Sequence, residues 1–178
     1  MNKFIFIAFC LPGINSIAQN NAEATGLIYG TNYAFMLTAP KGWVLDNKIG
    51  QPQHLSAVFY PKGESWENAI TAMYTTTWTL KPKETITDVI KADAERERNG
   101  NANIKINTLP NVKLQNNITA FIREIPGDKN GNYELIAYIS ERNFMALIVM
   151  TSRTKQDLEK KKNKFYELVK SYKLSMQK

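Results

Sequence analysis

At 178 residues the chain suits one domain, and 43% hydrophobic residues with 11% aromatics supply a real core, which excludes a disordered chain. The formal net charge of +7 is unevenly placed: Gln19 to Ser152 carries 13 basic and 13 acidic residues, whereas Arg153 to Lys178 carries 9 and 3. The one cysteine, Cys10, lies in an N-terminal segment expected to be removed, so the mature chain is expected to lack disulfides, cysteine–zinc sites and thiol catalysis.

Residues 1–18 read as a signal peptide. Lys3 supplies the positive start, Phe4 to Leu11 a short apolar run, and Pro12-Gly13 breaks it. Ser16 and Ala18 are the small residues a signal peptidase reads, which predicts cleavage before Gln19 and export to the periplasm or the medium. The apolar run is far shorter than the ~20 residues of a membrane span, so no transmembrane segment is expected in the mature chain. Phe9 is too bulky for a lipobox ahead of Cys10.

Residues 19–31 are polar with small side chains and read as a flexible lead-in, with a single domain over 32–178. Asn32 to Thr38 alternates Tyr33, Phe35 and Leu37 on one side and predicts a strand. Pro40-Lys41-Gly42 turns the chain, and Trp43-Val44-Leu45 runs extended. After a loop over 46–53, Leu55 to Tyr60 predicts a second strand, closed by Pro61-Lys62-Gly63. Ala69 to Leu80 alternates Ile70, Ala72, Tyr74, Thr76 and Trp78, and its threonines suit a half-exposed strand. Thr85-Ile86-Thr87-Asp88 is a capping box that opens a helix ending at Asn99-Gly100. Its stripe of Ile86, Val89, Ile90 and Ala94 is interrupted by Asp93 and Glu97, so only its first half can be buried. Ile104 to Leu109 and Ile118 to Ile125 predict strands, 126–131 a hairpin turn, and Asn132 to Ser140 its return strand.

Phe144 to Met150 is the most apolar run after the N-terminal segment and predicts a central strand buried on both faces. Thr154 and Asp157 then form a second capping box. The helix it opens carries Leu158, Phe165, Leu168, Val169 and Tyr172 within a stripe roughly 100° wide. Strands joined by short turns, with two helices outside them, imply an α+β fold built on an antiparallel sheet.

The order of several pieces resembles the PsbP-like superfamily: Phe35-Met36-Leu37 before Pro40-Lys41-Gly42-Trp43, then Ala57 to Gly63, the capped helix, the hairpin, and Ser152-Arg153-Thr154 before a helix with Phe165 and Ser171-Tyr172. The resemblance spans about Tyr33 to Leu174 and implies an antiparallel sheet flanked by helices, an α/β/α sandwich. It implies no activity, cofactor or shared catalytic set, because a fold does not fix a function.

Candidate sites are few. His54 is the lone histidine, without the second ligand a zinc site needs and without a G-x-S-x-G elbow near Ser56 or Ser65. Asp93 and Glu97 could share a hard cation but lack further oxygen ligands, and Arg96 and Arg98 can neutralise them. No catalytic residue, metal or cofactor is therefore assigned. Trp43, Tyr60 and Trp66 lie near loops that a sheet could gather into a binding surface. Lys160, Lys161, Lys162 and Lys164 cluster on the last helix and suit an acidic protein or an anionic envelope surface, against the alternative of a solvated face. No aromatic interleaves with them to stack bases, so nucleic acid is a poor partner. Lys161 falls inside the apolar stripe and is expected at its rim, or else paired with Glu134 or Glu141. The expectation is a non-enzymatic exported accessory or binding domain. A carrier of a lipid or small apolar ligand is the alternative, and a hydrolase comes third.

Overall fold

The structure, a computed structural model, describes residues 23–31, 33–128 and 130–177. The signal peptide expected over residues 1–18 lies outside the described residues. The first element among the described residues is strand β1 (Thr25–Gly30), antiparallel to β2 (Tyr33–Thr38). This corrects the flexible lead-in for residues 25–30. The helpful alternation is missing there because Leu27 and Tyr29 point outward while Ile28 is buried, so apolar residues sit on both sides.

The strands β3 (Trp43–Asp46), β4 (Ala57–Pro61) and β5 (Thr71–Thr79) follow, then helix α1 (Ile86–Gly100). Next come β6 (Asn107–Lys113), β7 (Thr119–Pro126), β8 (Tyr133–Ser140) and β9 (Phe144–Ser152), then helix α2 (Lys155–Lys170) and a last strand β10 (Lys173–Gln177). The described residues form two antiparallel sheets. One has the order β1-β2-β10; the other is seven-stranded, β3-β4-β5-β9-β8-β7-β6. The apolar run of β9 does lie at the centre, between β5 and β8. Strand β6 starts three residues later than the sequence suggests. It holds Pro110 at the sheet edge across an irregularity between Leu109 and Val112, where a residue without an N–H is tolerated.

Strand parity divides the large sheet into two faces. Met73, Leu135, Ala137, Ile148 and Met150 join Leu158, Phe165, Leu168 and Val169 of α2 in the main core. The small sheet docks on this same face through rings. Tyr33 stacks on Phe144 at 4.7 Å, and Phe35 meets Tyr172 at 5.2 Å. The opposite face carries Ile125, Ile136, Tyr138, Met145 and Val149, packed against Val89 of α1 and against Ile104. The result is a layered α+β fold, with helices on both sides of the large sheet.

Both helices start on the predicted threonine cap, but only α1 has the full capping box. The Thr85 hydroxyl accepts from the Asp88 N–H at 3.3 Å, and the Asp88 carboxylate accepts from the Thr85 N–H at 2.9 Å. At α2 the Thr154 hydroxyl accepts from the Asp157 N–H at 3.0 Å and donates to its carboxylate at 2.6 Å. The reciprocal bond is replaced there: the Thr154 N–H turns to the Ser152 hydroxyl at 3.4 Å.

Candidate functional site

The four lysines of α2 do not share one face. At about 100° per residue, Lys164 lies roughly 40° from Lys160, Lys161 about 100° and Lys162 about 160°. Each has a carboxylate close by: Lys160 to Asp157 at 3.7 Å, Lys161 to Glu64 at 3.9 Å, Lys162 to Glu159 at 3.5 Å and Lys164 to Glu167 at 2.8 Å. Three of these pairs are three residues apart along the exposed helix, a geometry worth only a few tenths of a kcal/mol each.

Lys161 sits at the rim of the stripe, as its pattern predicts. Its ammonium lies 5.9 Å from the centre of the Trp43 ring and reaches across to Glu64. The two carboxylates expected for it are elsewhere. Glu141 accepts a hydrogen bond from the Tyr172 hydroxyl at 3.1 Å. Glu134 pairs in register with Thr151, on the α1 face of the sheet, whereas Lys161 belongs to the α2 face.

The same parity separates the three candidate aromatics. In the β3–β4 ladder Trp43 opposes Pro61 and Val44 opposes Tyr60, so adjacent residues 43 and 44 point to opposite faces. Trp43 is buried in the main core, and Tyr60 stands on the α1 side close to Asp46. Trp66, on the loop before β5, meets Tyr74 edge-on at 6.2 Å. Trp43 is thus not part of a joint aromatic surface with Trp66 and Tyr60.

Trp66 instead lines an open cleft of about 390 Å³ at the end of β5, β8 and β9. Its other walls include Ile70, Asn132, Thr151 and Arg153. The Arg153 guanidinium is held by the Glu67 carbonyl at 3.0 Å. Ile70 beside the cleft and Trp78 at the far end of β5 remain 45% and 40% exposed. Both lie on the outward side of the strand that the alternating run already marked. What the sequence could not show was that α1 leaves this part of the sheet uncovered.

Under α1 the surface is acidic. The Tyr138 hydroxyl donates to Asp93 at 2.5 Å, and Arg96 bonds the same carboxylate at 2.8 Å. Both Asp93 oxygens are therefore engaged by protein groups. Burial pushes the Glu134 carboxyl up to about 7, with the negative charges of Asp128 and Glu97 adding to the shift and a hydrogen bond with Thr151 opposing it. Burial likewise raises the Tyr138 hydroxyl, and Asp93 adds to it. His54 lies apart from all of this. It is exposed, ends a short 3-10 turn at φ 59°, and among the described residues no side-chain hydrogen bond joins it to a serine or a carboxylate.

No family model matches the chain, and no curated protein sequence does so either. Solved structures do. The cyanobacterial PsbP (CyanoP) of Synechocystis sp. PCC 6803 superposes at a TM-score of 0.57, with 12% identity over 94% of this chain and 98% of that one. The Ran-binding protein Mog1p of Saccharomyces cerevisiae superposes at 0.53, with 13% identity over 85% of this chain and 95% of that one. At such identities the likeness is one of architecture, and it agrees with the layering described above: the chain is an α+β domain with a PsbP-like fold.

Proposed function

We propose that this chain is a non-enzymatic accessory domain, exported and then working by binding another protein at its envelope location. The observation that carries the reading is the partly covered α1 face, where Trp66 lines an open cleft and Ile70 and Trp78 stand exposed along β5. Exposed aromatic and branched side chains on a rigid sheet are the usual anchors of protein contacts. One structural neighbour is itself a Ran-binding protein, which supports a protein partner for this architecture. The filled packing beneath α2, with Leu158, Phe165, Leu168 and Val169 all buried, favours this reading over a carrier of an apolar ligand.

The basic helix has a secondary part in the reading. Its lysines are spread around α2 and locally paired, so they favour long-range attraction of an acidic partner over close docking. The test is capture of envelope proteins by the exported form and by two variants, Trp66→Ala/Ile70→Ser and Lys160→Gln/Lys164→Gln. The aromatic variant should lose the captured protein. The lysine variant should keep it, with a weaker dependence on salt. Equal capture by the wild type and the aromatic variant would overturn the reading. Mass measurement of the exported form tests export itself, with cleavage expected before Gln19.

A further inference from the structure

Sheet edges expose unpaired backbone groups, and most edges here are guarded. Strand β6 carries Pro110, a register irregularity and Lys113. Strand β3 is only four residues long and ends in Asp46. Strand β10 begins with Lys173 and has a register shift between Leu174 and Met176. Strand β1 has none of these devices. Its six residues, Thr-Gly-Leu-Ile-Tyr-Gly, contain no charge and no proline, and their register with β2 runs unbroken from Thr25↔Thr38 to Gly30↔Tyr33. Among the described residues no strand pairs with its outer edge. Leu27 and Tyr29 stand 51% and 75% exposed on its outward side.

We propose that β1 pairs antiparallel with β1 of a second copy across a two-fold axis, joining two three-stranded sheets into one of six strands. The occupant follows from the charge pattern. A two-fold contact sets each residue near its own equivalents, so a charged edge strand would oppose like charges to one another. This strand has none, and its backbone edge complements itself. Period-two geometry then restricts the register, because inward Ile28 must oppose an inward residue. An axis through Ile28 satisfies this. It sets Leu27 of each copy against Tyr29 of the other on the outward side and continues the buried Ile28 row on the inward side. The contact is smaller than a standard protein interface, so the association is weak, in the micromolar-to-millimolar range.

Sedimentation equilibrium of the exported form tests this, from about 10 µM to about 1 mM, a span matched to a small interface. The weight-average mass should rise toward twice the monomer. The variant Leu27→Lys/Tyr29→Lys changes only exposed side chains and places like charges across the axis; its dimerisation should weaken at least about tenfold, with its thermal melt confirming the fold. Register is read separately with two single variants, Leu27→Cys and Tyr29→Cys, since no other cysteine follows Cys10. Mixed and mildly oxidised, they should cross-link to each other faster than either does to itself. A wild type that stays monomeric throughout, a lysine variant that dimerises as well as wild type, or a mixture with no preferential cross-link would each overturn the proposal.

Discussion

The two helices invite direct comparison. Helices α1 and α2 have 15 and 16 residues, each opens on a threonine cap with an aspartate three residues later, and each lies on one face of the same sheet. Yet α2 buries Leu158, Phe165, Leu168 and Val169, and α1 buries only Val89. The cap does not make this difference, since α1 has the fuller one. Stripe continuity makes it. In α2 the one intrusion, Lys161, is long enough to set its ammonium at the rim, beside the Trp43 ring and within reach of Glu64. In α1 the intrusions are Asp93 and Glu97, so only its first half packs apolar residues on the sheet, through Val89, and its second half meets Tyr138 and a cluster of acids. At roughly 1.5–3 kcal/mol for each fully buried large apolar side chain, four against one decides which helix holds the domain together.

The largest expected effect is on the α2 face. Phe165→Ala should destabilise the domain by about 3–5 kcal/mol, read by urea or thermal melts, since the ring is fully enclosed. A loss below about 1 kcal/mol would mean α2 is not the principal packing element. On the α1 face the leading effect depends on pH. The native Glu134 carboxyl sits at about 7 against an ordinary 4.5. Its protonated form is favoured in the fold, so this stabilising contribution is complete below the ordinary value and is lost as pH rises to about 7. The facing groups are Thr151 on β9, Asp93 and Glu97 on α1, and Asp128 in the β7–β8 hairpin. The whole shift corresponds to about 3–4 kcal/mol, of which about 2–3 kcal/mol falls between pH 5 and pH 8. Glu134→Gln should therefore gain stability relative to wild type between pH 5 and pH 8 by about that much. A difference that stays constant with pH would show that burial and the neighbouring acids do not raise the Glu134 carboxyl.

Smaller changes sharpen the contrast. Val89→Ala removes the one buried residue of α1 and should cost about 1–2 kcal/mol, well below Phe165→Ala. Parity between the two variants would erase the distinction between the faces. The caps should matter least. Thr85→Ala and Thr154→Ala each remove a cap worth about 1 kcal/mol. Hydrogen exchange should separate them: Thr85→Ala accelerates exchange across α1 alone, whereas α2 amides in Thr154→Ala still exchange through global unfolding. Equal local exchange in the two helices would contradict the weaker docking of α1.

Much of this was legible from residue order, and the physical reason is that periodicity is local. The stripe of α2, its break in α1, both threonine caps, the central run Phe144 to Met150 and the rim position of Lys161 are properties of neighbours within one or two turns or one strand. They needed only the geometry of a helix or a strand. What tertiary structure alone decided involves residues far apart in the chain. Strands β1 and β10 became a separate sheet because β2 accepts both, and no local pattern announces a partner lying more than 130 residues away, as Met36 has in Lys173. Trp43 and Tyr60 parted to opposite faces because the β3–β4 register did so. Lys161 took Glu64 as its partner, and Glu134 met acids from α1 and the hairpin, only once the sheet had brought separate segments together. Which side chains a face exposes depends on what covers it, and here that is set by how far α1 extends over β5, which the alternating sequence of β5 does not encode.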